Sequence, residues 1–424
     1  MKKIKIGLAG LGIVGKGVYD ILKKDADLIS KRAGACLEIT AVSARSKKDF
    51  IDSDVKFYEN SLDLASDPEI DIIVEVIGGD TLAKELCESA LKNGKHYVTA
   101  NKALLAVHGF ELAKLAESSN VQIAFEASTA GSIPIIKAFK EGFASNEITE
   151  FYAILNGTCN FILTKMQREN LDFAAALKQA QDLGYAESDP TFDIKGIDTA
   201  HKLALLAAIA AGAKPAFEEL SIEGVDEVSI EDINLADELG YKIKILAVYK
   251  KLQESSQQAV YPALISKAEK ISQVDDSFNA ILTNNSNAGW NIAVGRGAGS
   301  LPTASAIVAD LIDIANNRTS SVFGVKTDDL KAAAISKISN RVGRYFLKLV
   351  VDKNLAQKTH LAEMVFGDKI KIEKSVFIDK EEEILCGFLT EKTKEQDVIN
   401  MMELLDAGLV KSAKFLRVEE IVGF

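Results

Sequence analysis

The stretch IGLAGLGIVGKG, Ile6–Gly17, decides how the chain begins to fold. Its first half is an apolar, β-rich run. Its second half holds Gly10, Gly12 and Gly15 in the spacing G-x-G-x-x-G, with Leu11, Ile13 and Val14 between and around them. A glycine at the first position permits a tight turn after a strand. One at the second lets the backbone approach a pyrophosphate, and one at the third lets the following helix pack closely. The free N–H groups at that helix start then bind the anion. The motif therefore predicts a strand–turn–helix unit that binds a dinucleotide.

Working outward, Ile4–Ala9, Leu37–Ser43, Asp71–Ile77, His96–Ala100 and Val121–Glu126 read as strands. Val14–Ser30, Leu82–Asn93 and Ala103–Ser118 read as the helices between them. Apolar strands alternating with amphipathic helices indicate a parallel sheet covered on both faces, the doubly wound Rossmann type. This unit takes residues 1–135, completed by a helix at about 303–318. From 136 to 320 the pattern changes to an α+β domain, with a very apolar helix at His201–Ala213. The polar segment Thr319–Asn340 reads as a connector. Residues 341–424 give strand–helix–strand–strand–helix–strand, the order of a small ferredoxin-like module.

Composition narrows the function. The chain has 424 residues, 47% hydrophobic and 26% charged, and 50 basic against 61 acidic residues give a net charge of −11. A phosphate-tracking surface comes with basic excess, so a nucleic-acid binder is not expected. No apolar stretch reaches the ~18 residues of a membrane span. Four scattered cysteines without a CxxC pair, and only four histidines, argue against a zinc site and against a disulfide framework. A cytoplasmic, soluble protein is the expectation.

The second strand runs into AVSARSKK, where Arg45 stands in place of the acidic residue that holds an NAD ribose. A cation there suits a 2′-phosphate and favours NADP; the alternative is a solvated basic turn. Lys102, in VTANKALLA, follows a strand end and so faces the ligand crevice or decorates a helix start. In GYAESDPTFDIKGIDTAHK, Glu187, Asp189 and Asp193 precede Asp198 and Lys202, which lie four apart on one helix face. An i,i+4 surface pair is the plain reading. The helix beyond is too apolar to be exposed, however, which favours Lys202 as a proton-transfer group. Cys159 in NGTCN is a structural cysteine or a thiol nucleophile. GRGAGSLPTAS, with Gly299, is a second anion-contacting loop or a tight return to the first domain.

Taken together, GLGIVG, VEVIGG, VTANKALLA, EASTAGSIPII, ILNGTCN, LGYAESDPTFDIKGIDTAHK and GRGAGSLPTAS strongly resemble homoserine dehydrogenases, over about residues 4–320. The resemblance implies reversible, nicotinamide-dependent interconversion of L-aspartate 4-semialdehyde and L-homoserine, in threonine and methionine biosynthesis. It makes Lys202 the acid–base lysine and Lys102 its partner at the cofactor–substrate crevice. Glu187 then holds the substrate amino group and Asp198 lies at the reacting end, with Asn156, Gly157 and Thr158 beside the substrate. Gly10 to Gly15, Arg45, Lys102 and Gly299 contact the cofactor, NADP in preference to NAD. Backbone carbonyls of Glu126, Thr129, Gly131 and Ile133 resemble a monovalent-cation site for Na⁺ or K⁺. A homodimer or higher homo-oligomer is implied, with 136–320 as its substrate-binding and dimerisation domain.

The last module is similar to an ACT domain, although Asn354 stands where such domains carry a glycine, which predicts weak threonine control. Two other functions fit parts of the sequence. One is an acylating semialdehyde dehydrogenase using Cys159, and the other is a non-catalytic NADP sensor.

Overall fold

The structure, a computed structural model, describes residues 1–318, 320–353, 360–405 and 409–421. Asn354, with its expected effect on the turn, lies outside them.

The chain opens with β1 (Lys2–Ala9), α1 (Ile13–Lys24), α2 (Ala26–Ala33), β2 (Ala35–Ser43), β3 (Lys56–Tyr58) and α3 (Leu62–Ser66). There follow β4 (Ile72–Glu75), α4 (Thr81–Lys92), β5 (His96–Thr99), α5 (Lys102–Ser118) and β6 (Ile123–Ala124). The six strands are parallel in the order β3-β2-β1-β4-β5-β6. Alternation sorts the side chains: Ile6, Leu8, Ile72 and Val74 pack with Val18 and Leu22 of α1. Ile73 turns to the other face, with Leu86, Leu105 and Leu112 of α4 and α5. The order reverses between β1 and β4, where a doubly wound sheet places its ligand.

Two expectations are corrected here. The single helix at Val14–Ser30 is two helices that meet at Asp25. The strand at Val121–Glu126 shrinks to two residues, because Glu126–Ser128 turns into a 3₁₀ helix. β3 and α3, too short to show periodicity, were not anticipated.

The next region contains α6 (Ile135–Lys137), which runs into a π-helical turn at Ala138–Gly142. It continues through β7 (Ile148–Ile154), α7 (Gly157–Glu169), α8 (Phe173–Asp182), α9 (Thr191–Ile194), α10 (Ile197–Ala211), β8 (Ser221–Ile222) and α11 (Ile230–Glu238). Then come β9 (Tyr241–Lys251), β10 (Ser256–Ser266), β11 (Phe278–Asn285), β12 (Gly289–Arg296) and α12 (Ser300–Ala315). Every residue of α10 from Asp198 to Ala208 is buried, which carries Lys202 into the interior. α12 returns to the first sheet, where Ile307 and Leu311 join the core beside α1.

The chain ends with β13 (Val342–Asp352), α13 (Leu361–Phe366), β14 (Ile372–Asp379), β15 (Glu383–Thr390), β16 (Thr393–Lys394), α14 (Glu395–Glu403) and β17 (Val410–Glu419). Its strand order β17-β13-β15-β14 is ferredoxin-like, but the module's sheet does not stand alone. β17 pairs in parallel with β10, giving a continuous sheet β12-β11-β7-β9-β10-β17-β13-β15-β14. The connector also proves well packed. Phe323 is buried against Phe125, Thr327 bonds the Glu117 carboxylate, and Lys331 and Ile335 form bridges to Ala213 and Ser256.

Candidate active site

Three glycines shape the turn from β1 into α1, each for a different reason. Gly10 has φ 104°, and a Cβ on it would lie 2.6 Å from the Val76 carbonyl oxygen. A Cβ on Gly15 would collide with the Gly10 carbonyl, so only glycine lets α1 pack there. Gly12, the N-cap of α1, faces open space with nothing within 4 Å. No side chain caps this helix, so its first N–H groups are left for an anion. Leu11 is buried, Val14 half-buried, and Ile13 76% exposed, which offers an apolar surface beside the anion site. Gly299, at φ 122°, starts α12, and Ser300 Oγ donates to the Ile13 carbonyl at 2.8 Å. The two glycine-rich segments therefore meet. Arg45, Lys47 and Lys48 stand exposed beyond the end of β2.

Beside the cradle lies a residue whose role the sequence reading missed. Glu75 ends β4 fully buried and accepts from the Ile77 and Gly78 N–H groups at 2.7 and 3.1 Å and from Thr99 Oγ1 at 2.6 Å. Burial pushes its carboxyl up, against these bonds. Thr99 Oγ1 in turn takes the Asn101 N–H, and Asn101 caps α5 and bonds Gly79. The glycine loop and the start of the Lys102 helix are thus tied through one carboxylate. The signal was a glutamate closing the apolar strand IIVE just before two glycines.

The substrate end is ionic. Asp198 is 5% exposed and binds two lysines, Lys202 through Oδ2 at 2.7 Å and Lys102 through Oδ1 at 3.1 Å. Burial alone would raise its carboxyl; the Lys202 and Lys102 ammoniums outweigh that and hold it well below the usual carboxylate range. Lys202 Nζ also donates to the Leu155 carbonyl at 2.7 Å. Asn156 caps α7 through Cys159 N–H and donates its amide to both Asp193 Oδ1 and Asp198 Oδ2 at 2.8 Å. Burial, and then the Asp198 charge, raise the Asp193 carboxyl. His201, packed on Phe192 and Phe217, is lowered to about 4 by burial and by Lys102, so it is neutral.

The structure brings the candidates Lys102, Asn156, Asp198 and Lys202 together. Gly157 and Thr158 begin α7 alongside, with Thr158 Oγ1 donating to the Tyr185 carbonyl at 2.6 Å. Glu187 is exposed on the Gly184–Pro190 loop and pairs with neither lysine of the cluster. Asp193, noted in the sequence only as one of several loop carboxylates, is an integral member.

The Glu126–Ile133 loop is buried except at Ser132. The Glu126 carboxylate is already used, accepting the Ile136 and Lys137 N–H groups at 2.9 Å, while its own N–H donates to Asp310 Oδ2 at 2.9 Å. Burial and the Asp310 charge raise Glu126 to about 7. Gly131, at φ 58°, lies against the Arg296 and Gly297 carbonyls, and the Ile133 carbonyl takes the Ile135 N–H. The hydroxyls of Ser128 and Thr129 are buried with no hydrogen-bond partner among the described residues.

The acylating alternative is corrected. Cys159 is fully buried, its Sγ donates to the Asp193 carbonyl, and burial and the nearby Asp193 and Asp198 carboxylates push its thiol up. Such a thiol is a packing residue, since the nucleophile would be an accessible thiolate.

A glycine cradle at the switch point of a parallel sheet, with a buried lysine–aspartate–lysine cluster, defines a nicotinamide-dependent oxidoreductase. Comparison with known proteins agrees. Residues 10–126 match the family described as homoserine dehydrogenase, NAD binding domain, and 134–312 the family described as homoserine dehydrogenase. The homoserine dehydrogenase of Pseudomonas aeruginosa is 38% identical over 433 residues, spanning 99% of this chain and 100% of that protein. A solved homoserine dehydrogenase from Thiobacillus denitrificans superposes with TM-score 0.92 at 38% identity, covering 99% of each chain. A hyperthermophilic archaeal homoserine dehydrogenase in complex with NADPH does so with TM-score 0.65 at 27% identity, covering 76% of this chain and 99% of that one. The chain belongs to the homoserine dehydrogenase family. Its activity is oxidation of a CH–OH group, the reversible interconversion of L-homoserine and L-aspartate 4-semialdehyde with a nicotinamide cofactor. This also corrects the sensor alternative.

Proposed function

We propose that Lys202 is the acid–base group of this reaction, that Lys102 is its electrostatic partner, and that Asp198 holds both ammoniums at the reacting carbonyl. The observation that carries this reading is the shared, buried Asp198 carboxylate. Lys202 Nζ spends two of its three N–H groups on Asp198 and Leu155, and the third is directed to a substrate oxygen. The bound nicotinamide supplies or takes the hydride. As the aldehyde is reduced, its oxygen gains charge that an adjacent ammonium stabilises and then protonates. In the other direction the neutral amine takes the alcohol proton.

The start of α7 suits the substrate carboxylate. Its cap bonds engage Cys159 and Asn160, and the Gly157 and Thr158 N–H groups remain for an anion. Glu187, exposed above this helix start, and Asp193 are assigned to the substrate ammonium.

The cradle fits a dinucleotide, since Gly12 leaves open the space a Cβ would fill. NADP is preferred because Arg45, Lys47 and Lys48 cluster where an acidic residue would serve NAD. A monovalent cation is assigned to the carbonyls of Glu126, Thr129, Gly131 and Ile133, beside the orphaned Ser128 and Thr129 hydroxyls. The boundaries 1–135 (with 303–318), 136–320 and 341–424, an ACT-like last module, a homodimer and a cytoplasmic setting complete the reading. For the last of these, all four cysteines are free thiols, as a reducing compartment requires. Among the described residues no helix is long and apolar enough to cross a membrane.

The test is oxidation of NADPH, then of NADH, by aspartate semialdehyde, on the native chain and on Arg45→Ala. The variant is expected to lose affinity for NADPH and not for NADH. Equal losses contradict the assignment.

A further inference from the structure

The segment from the end of β8 through the first turn of α11, residues 223–232, is gripped on two sides. On one side it supports the catalytic loop. Val225 N–H donates to the Ile194 carbonyl at 2.8 Å, and Lys195 pairs with Asp226 at 2.7 Å. A Cβ on Gly224 would lie 2.7 Å from Lys195 Cα, so the two backbones are in direct contact. Gly196, the N-cap of α10, has φ 80° and rests on the Glu223 carbonyl and the Ile222 side chain. Asp193 precedes this contact and Asp198 follows it.

On the other side the segment is held by cations of the C-terminal module. Arg417 Nη1 donates to Glu223 Oε2 at 2.8 Å, while its Nε and Nη2 clasp buried Glu395 at 2.8 and 2.7 Å. Arg417 is therefore fixed by a bidentate bond before it reaches Glu223. Lys348 and Lys414 are direct cross-strand neighbours, a like-charge pair that would repel. Both pair with the fully buried Asp232, which offsets their repulsion, and Lys414 also donates to the Glu227 carbonyl at 2.5 Å.

We propose that residues 223–232 form a positioning strap, through which the C-terminal module sets Asp193 and the start of α10, with Glu223 as its positioning residue. The proposal rests on the assignment of chemistry to Asp198 and Lys202. Glu223 is half-exposed, so its loss costs little stability. Its effect travels through backbone that touches the catalytic loop, where small displacements are expensive.

The experiment uses the full chain and four variants: Glu223→Ala, Glu223→Gln, Asp193→Asn and the double variant Glu223→Ala with Asp193→Asn, with Lys202→Ala run in parallel. Glu223→Ala is expected to lower kcat about tenfold, with NADPH affinity unchanged and Tm lowered by no more than about 3 °C. Glu223→Gln, whose amide oxygen still accepts from Arg417, restores most of the rate. In the Asp193→Asn background, Glu223→Ala costs less than in the native chain, since only the contact with the start of α10 is left to disturb. Normal kcat in Glu223→Ala, equal losses in both backgrounds, or no rescue by Gln overturns the strap. If Lys202→Ala is inactive while Glu223→Ala is normal, only the strap fails; if Lys202→Ala turns over normally, the active-site reading falls and the strap with it.

Discussion

The cradle at the start of α1 and the ion cluster at the start of α10 both sit at helix N-termini, yet they are made of opposite materials. The cradle is backbone: three glycines, no capping side chain and an open face at Gly12. The cluster is buried charge: one carboxylate between two ammoniums, with Asn156 bonding both aspartates. A backbone site is damaged by an added atom, and a charge site by a lost one. The two should therefore fail separately.

The largest effect is expected at the cluster. Asp198→Asn leaves the buried Lys202 ammonium and the half-buried Lys102 ammonium without their counter-charge, so kcat should fall by roughly 10² or more and Tm should drop. NADPH affinity should change far less than kcat, because Asp198 bears on the cofactor side only through Lys102. A titration showing NADPH affinity lost in step with kcat would break the separation.

Next comes the cradle. Gly12→Ala adds a Cβ where the chain itself has nothing within 4 Å. Thermal stability should be unchanged while NADPH affinity falls about tenfold or more, the methyl standing where a pyrophosphate approaches. Unaltered affinity would place the cofactor elsewhere.

A smaller effect is expected at Glu126, which follows the edge strand β6 and bonds Asp310, Ile136 and Lys137. Its carboxyl is raised from 4.5 to about 7, by burial and then by Asp310. Between those values the folded chain keeps a proton that the unfolded chain has released, so stability falls as pH rises through about 4.5 to 7. Glu126→Gln mimics the protonated form and should flatten that slope. Parallel curves of Tm against pH for the two proteins would contradict it. The smallest effect is at Cys159, where Cys159→Ser should keep kcat within about twofold, since a hydroxyl can donate to Asp193 as the thiol does. An inactive Cys159→Ser would reopen nucleophilic catalysis.

How far each region could be read from the sequence follows from the same difference. G-x-G-x-x-G states a backbone geometry directly, and Gly10, Gly12 and Gly15 each have the surroundings the motif requires. The cluster was legible in part, since Asp198 and Lys202 share a helix face at fixed spacing. That Lys102 reaches the same carboxylate across 96 residues is tertiary information, as is the bond from Asn156 to Asp193. Glu75 read as one interior residue of the strand Asp71–Ile77 because its partners, Thr99 and the Ile77 and Gly78 N–H groups, appear only once β4 and β5 are paired. α11 was missed although Ser229 and Asp232 form a capping box before it. The polar composition of Thr319–Asn340 suggested a free connector, and it hid the burial of Phe323 and the bond from Thr327 to Glu117.

The central claim is that charge carries the chemistry while backbone carries the cofactor. It is tested most directly on Lys202→Ala, by measuring NADPH affinity and single-turnover reduction of aspartate semialdehyde on one preparation. The prediction is unchanged affinity with hydride transfer slowed by roughly 10² or more, the scale of a lost acid–base group. Hydride transfer at a near-normal rate would contradict the account.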